Sequence, residues 1–281
     1  HYGLPARKDM QRLNYDEVLS WVTGLLDLKD LEISIVGDVN VEEILPLLSE
    51  TFGSLTLYES PKRRLDEIVE FPTGETLNLN VDSSIEKSRI YMSWATGDFW
   101  DIKRTRRLSL LAAIIEDRVR KKVREQLGAS YSPMVVSYGS KMHKGYGYMQ
   151  IELNVESGKE DMLVHELKKL TSDLITEGVT SEELYRAKQP ILTSVYENVD
   201  TNQYWLHSVL TLSSSFPQQL IWPLTIVEDI TSISKIELDL LIREYLQDSK
   251  SAVAIIRAGE KKEDVVGELK NRSTCLKIVV N

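Results

Sequence analysis

Asp101-Ile-Lys-Arg-Thr-Arg-Arg-Leu-Ser-Leu-Leu-Ala-Ala-Ile-Ile-Glu-Asp-Arg-Val-Arg-Lys-Lys-Val-Arg-Glu-Gln-Leu-Gly-Ala-Ser-Tyr131 sets the architecture of this chain. Leu108, Leu111, Ala112, Ile115, Val119 and Val123 fall at helical spacing, so the stretch predicts one long helix, roughly six or seven turns, ended by Gly128. Alternating segments lie on both sides of it. Upstream, Thr76 to Val81 and Ser88 to Ala95 read as strands, the second with Ile90, Met92 and Trp94 on one face. Downstream, Ala129 to Gly139 and Gly145 to Glu156 read as a hairpin around Ser-Lys-Met-His-Lys. A helix between two sheet-forming runs must cover that sheet.

The flanking regions supply further helices. Asn14-Tyr-Asp-Glu17 is a capping box ahead of Val18, Trp21, Val22 and Leu25; Leu31 to Val36 alternates as a strand; Asn40 and Glu43 cap a helix with Val41, Ile44, Leu45, Leu48 and Phe52 on one face. Residues 58–75 are charged and proline-punctuated, a surface connection and candidate lobe boundary. Glu160 to Thr176 reads as a helix stopped at Gly178. Thr180-Ser-Glu-Glu183 opens the next one, and Pro190 should kink it. Helical segments follow to Leu246, then a strand at Ala252 to Arg257. The expectation is an α+β, two-layer domain over residues 14–281, a mixed and mostly antiparallel sheet covered on one face by helices, with residues 1–13 a lead-in from a preceding domain.

Composition narrows the function. With 281 residues and 42% hydrophobic content, the chain can build a full core, while a net charge of −9 argues against a nucleic-acid partner, which needs a basic face. The basic run from Lys103 through Arg104, Arg106, Arg107, Arg118, Arg120, Lys121 and Lys122 to Arg124 reads as a solvated helix face. The single cysteine, Cys275, precludes an intrachain disulfide or a thiolate metal cluster. No apolar run approaches the ~18 residues of a membrane span. The N-terminus, His1-Tyr-Gly-Leu-Pro-Ala-Arg, has the form of neither a signal peptide nor an initiation site, and reads as the cut end of a longer polypeptide.

Most catalytic signatures are missing. His1, His143, His165 and His207 have no metal-ligand spacing; His165-Glu166 continues Leu-Lys-Lys, so neither H-E-x-x-H nor H-x-x-E-H is formed. Phosphate-binding glycine loops and a G-x-S-x-G elbow are absent from the sequence. The pairs Glu42-Glu43, Glu116-Asp117 and Glu182-Glu183 read as helix starts or exposed faces. What remains is Arg124 and Tyr131, seven residues apart across a glycine turn. A guanidinium fork and a phenol could together donate to a peptide carbonyl and hold charge developing on its oxygen. On spacing alone a plainer role stands beside this: Arg124 at its own helix's C-terminal carbonyls, Tyr131 as a half-buried strand aromatic.

Four motifs in order give a family likeness from about Asn14 to Gly259: the Ile35-Val-Gly-Asp38 strand end before an acidic helix, Phe52-Gly53 at that helix's close, Arg124-Glu-Gln-Leu-Gly128 with Tyr131 beyond, and Gly178-Val-Thr-Ser-Glu-Glu-Leu184 leading to Lys188. The chain resembles the pitrilysin/insulinase family of inverted-motif zinc metallopeptidases, bacterial zinc-protease type, and in particular the last domain of their metal-free half. The resemblance implies a metalloprotease/LuxS-like fold and no cofactor in this chain, with zinc in the partner half. It also implies a zinc-bearing N-terminal half or paired subunit as partner, and a peptide substrate held in an enclosed chamber. Arg124 and Tyr131 match the family's substrate-gripping pair; Tyr138, seven further on, alternates to the opposite face. The chain alone is expected to be inactive. A free sheet edge could add peptide by β-augmentation, and the periplasm or cell envelope is the compartment the resemblance suggests. The competing reading is a non-catalytic structural or binding homologue within a larger complex.

Overall fold

The computed structural model describes residues 7–25, 31–55, 69–81, 85, 87–127 and 133–258. In chain order the elements are α1 (Arg7–Met10), α2 (Tyr15–Leu25), α3 (Val41–Thr51), β1 (Thr76–Val81), β2 (Lys87–Thr96), α4 (Ile102–Leu127), β3 (Met134–Gly139), β4 (Gly147–Glu156), α5 (Glu160–Glu177), α6 (Ser181–Val199) and α7 (Asn202–Tyr204). A π-helical turn (Trp205–Leu210) and a 3₁₀ turn (Pro217–Ile221) lead to α8 (Trp222–Ser232), α9 (Lys235–Tyr245) and β5 (Ser251–Ala258). They gather into two compact units, residues 1–65 with 199–222, and residues 66–198 with 223–281.

The larger unit is a five-stranded sheet in the order β1-β5-β2-β4-β3, with β1 parallel to β5 and every other pair antiparallel. Register follows the period-two pattern. Ile90 pairs with Leu153 and Ile255, Met92 with Ile151 and Val253, and Trp94 with Met149, so one face of three adjacent strands is continuously apolar. Those side chains are fully buried or nearly so, beneath Leu108, Leu111, Ile115, Val119 and Val123 of α4. Burying each contributes about 1.5–3 kcal/mol. α4 packs on β3 and β4, and α5 and α9 pack on β2, so helices take one face and Tyr91, Ser93, Tyr148 and Gln150 line the other. This is the mixed, mostly antiparallel α+β layer that the periodicities predict.

In the smaller unit the helices match their caps. Asn14 Oδ1 accepts from Glu17 N at 2.9 Å and Glu17 Oε2 from Asn14 N at 3.2 Å, the reciprocal box ahead of α2. Asn40 Oδ1 accepts from Glu42 N at 2.9 Å to open α3. The predicted strand at Leu31 to Val36 is not formed: residues 31–36 join no ladder, and among the described residues none of their backbone groups is hydrogen-bonded. Alternation specifies which side chains share a face, but a strand exists only beside a neighbour.

Candidate functional site

Arg124 lies in the last turn of α4. Its side chain, and all of Tyr131, lie outside the described residues; the structure describes the frame from which Arg124 extends. That frame is α4's second half and the elements clamped to it.

The clamp is built from the basic run. Arg118 Nε and Nη2 donate to the two carboxylate oxygens of Glu183 at 2.6 and 2.8 Å, and Nη2 also donates to Gly178 O at 2.9 Å. This bidentate fork joins α4 to the start of α6. Both side chains are largely buried, at 17% and 13% exposure. Burial opposes ionisation of Glu183, yet the Arg118 fork and the Thr180 N–H, donating at 2.8 Å, overcome it and hold the carboxyl at about 2. Glu183 N in turn donates to Thr180 Oγ1 at 3.1 Å, completing the capping box that the sequence shows.

The glycine before it has a conformational reason. Gly178 takes φ +73°, and a Cβ there would run into the Asp239 carboxylate, which accepts from Val179 N at 2.9 Å. Two turns into α6, Lys188 Nζ donates to Thr231 O and Ile233 O, both at 2.7 Å, satisfying carbonyls at the close of α8. Burial lowers the Lys188 pKa, with the Glu237 charge opposing that shift. The motif running from Gly178 to Lys188 is therefore the latch that fixes α6 against α4 and α8.

Further back on α4, Arg106 and Arg107 are tied inward as well. Arg106 Nη1 and Arg107 Nη1 reach the two oxygens of Asp229 at 3.1 and 3.0 Å, and Arg107 Nη2 reaches Glu237 at 2.8 Å. This corrects the solvated-face reading of the basic run: Arg106, Arg107 and Arg118 are internal fasteners, whereas Lys121 pairs with Asp117 at the surface at 2.8 Å. Glu183 likewise belongs to a buried pair and not to an exposed face. Composition registers neither, because charge runs look alike until packing assigns each guanidinium a carboxylate.

Beside α4's second half lies a groove of about 560 Å³, lined by Glu116, Asp117, Arg120, Val135, Arg186 and Pro190 among others. Glu116 accepts from Val135 N at 3.3 Å and also pairs with Arg120. Tyr138 rests against Tyr148 on the sheet, ring centroids 5.1 Å apart. His165 is exposed on α5, and His143 sits in the β3–β4 turn, its ring 6.4 Å from that of Tyr146. Among the described residues, no group of three or more His, Cys, Asp or Glu side chains is placed to hold a metal ion. No described helix is long and apolar enough to cross a membrane.

Comparison with known proteins places this geometry. Residues 12–191 match the family model for the peptidase M16 inactive domain. A Helicobacter pylori protein named non-peptidase homolog YmxG is 24% identical over 274 residues, which cover 93% of this chain and 59% of that protein. An uncharacterized zinc protease of Rickettsia felis is 24% identical over 236 residues, covering 82% of this chain and 54% of the relative. The chain thus spans a little over half the length of these relatives. Among solved structures, a protease from Helicobacter pylori superposes with a TM-score of 0.71 at 14% identity, covering 90% of this chain and 61% of that one. Pitrilysin superposes with a TM-score of 0.67 at 13% identity, covering 94% of this chain and 28% of its own.

Proposed function

We propose a function from the premise that this chain belongs to the peptidase M16 inactive-domain family: it is the metal-free, substrate-orienting part of a zinc metalloendopeptidase. The observation that carries the reading is the place of Arg124, in the final turn of a helix locked by the Arg118–Glu183 fork, seven residues before Tyr131 and within the family-matched region. The fork fixes the helix backbone from which the Arg124 side chain extends. The histidines do not fit a zinc site by spacing, so the metal belongs to a paired catalytic half. In this reading, Arg124 and the Tyr131 hydroxyl donate to the carbonyl oxygen of an extended peptide and stabilise the charge that develops there.

The test is Arg124→Ala and Tyr131→Phe in the complete enzyme. Loss of one such donor should lower kcat by about 10²–10³-fold, or about 2.7–4 kcal/mol, with thermal unfolding and zinc content unchanged. Kinetics equal to wild type in both variants would sink the assignment.

A second reading has its own support. The Helicobacter pylori relative that aligns with 93% of this chain is named a non-peptidase homolog. If this chain shares that character, it is a structural or binding subunit, and affinity purification should recover a stable complex containing no zinc-bearing chain.

A further inference from the structure

β3 is the outer strand of the sheet beyond β4, so half of its backbone groups face away from the ladder. Ser140 N donates to Tyr146 O at 2.9 Å just past the last pair, Gly139 with Gly147. With period two, the amides of residues 134, 136 and 138 then point at β4, and those of Val135 and Ser137 point outward. Ser137 N has no hydrogen-bond partner among the described residues. Val135 N has one: it donates at 3.3 Å to Glu116 Oε2, on the middle of α4 and 19 positions away in sequence. The other oxygen of Glu116 accepts from Arg120, one turn on, so the carboxylate stands between two donors and is 29% exposed.

Apolar packing does not fix where β3 sits along α4. Val135 is buried in the core that also holds Ile115 and Val119, but burial is non-directional and sets no register. A hydrogen bond weakens steeply with distance and angle, so one carboxylate on one amide selects a single alignment of strand and helix. The two ends of that bond lie on the branches that carry the candidate pair. Arg124 follows Glu116 by two turns of the same helix, about 12 Å of rise, and Tyr131 precedes Val135 by four residues.

We infer that Glu116 is a positioning residue for the carbonyl-binding pair, holding the strand that follows Tyr131 in register with the helix that ends in Arg124. The inference rests on the role proposed for those two residues. Glu116 acts through them and not on substrate. Its bond to the strand needs an acceptor and no charge, so Glu116→Gln keeps the tie and Glu116→Ala removes it.

Two measurements on the complete enzyme test this. In hydrogen exchange resolved to single amides, Val135 should exchange about 10-fold more slowly than Ser137 in wild type and in Glu116→Gln, and as fast as Ser137 in Glu116→Ala. Equal rates for the two amides in wild type would overturn the inference. In steady-state peptide cleavage, Glu116→Ala should lower kcat by about 10-fold at nearly constant KM, with Glu116→Gln within about 2-fold of wild type. Adding Glu116→Ala to Tyr131→Phe should cost nothing further, because no hydroxyl is left to place. Wild-type kcat in Glu116→Ala, beside a slow Tyr131→Phe, would overturn the inference and leave the pair standing. Additive losses in the double variant would also overturn it, by giving Glu116 an effect that does not pass through Tyr131. Wild-type turnover by Tyr131→Phe would overturn the inference together with the reading beneath it.

Discussion

Replacing Glu183 by Gln tests whether the fork to Arg118 is the fastener that holds the end of α4 in place. In the folded chain the carboxyl sits at about 2 against an ordinary 4.5. That displacement, at about 1.4 kcal/mol per pH unit, is about 3.5 kcal/mol of stability at neutral pH, an upper figure because a little solvent reaches the pair. The carboxyl's folded value lies below its unfolded one, so the contribution is complete above about pH 5 and is lost as the pH falls through about 2. Gln keeps the shape and one acceptor but cannot ionise or receive both guanidinium hydrogen bonds as an anion. Urea denaturation followed by circular dichroism, from pH 7 downward, should therefore show wild type the more stable by about 2–3 kcal/mol at pH 7, with the gap narrowing steadily below pH ~5. The other carboxylates titrate in both proteins and cancel from the difference. A gap of constant size across that range, or none at pH 7, would refute the claim that an ionised Glu183 carries the junction.

Lys188→Met removes the hydrogen bonds to Thr231 O, which is exposed, and Ile233 O, which is half-buried, and should cost about 1.5 kcal/mol in chemical denaturation, since both carbonyls lose a charged partner that water only partly replaces; an unchanged midpoint would deny the latch its role. Ser88→Ala strips the buried Glu160 carboxylate of a hydroxyl donor while leaving Gly158 N at 2.9 Å, so a loss of about 1–2 kcal/mol is expected by thermal unfolding. Ile115→Ala opens a cavity under α4 and should cost about 2–5 kcal/mol, read as a shift of the urea midpoint with no change of slope. Arg107→Met should raise the Glu237 carboxyl from about 2 toward its ordinary range, only part of the way because the Ser234 N–H, the larger lowering influence, stays in place; carboxyl carbon chemical shifts against pH measure it.

The parts of the fold that were legible in the sequence are those fixed by local chemistry. Asn14 with Glu17, Asn40 with its helix, and Thr180 with Glu183 announce helix starts because the caps are made within three residues. The apolar stripe of α4 and the alternation of β2 and β4 give both period and buried face. Residues 31–36 mark the limit of that logic, since the same alternation yields a strand only when other strands lie alongside. Arg106, Arg107 and Arg118 mark another: their partners Asp229, Glu237 and Glu183 stand between 65 and 130 positions away, beyond any local pattern. The groove beside α4 arises the same way, from β3 and α6 being brought against one helix.

Sequence by itself determined the α+β character, the helix that backs the sheet, the family, and the two residues, Arg124 and Tyr131, on which the chemistry is proposed to rest. The first two follow from short-range spacing, which sterics and hydrogen bonding convert directly into local structure; the family and the pair rest on the resemblance that the four motifs carry. The strand order β1-β5-β2-β4-β3, the parallel seating of β1 on β5, and the conversion of a basic face into three internal fasteners were decided only in three dimensions. Each depends on which distant surfaces meet, and burial and pairing, not spacing, set that choice.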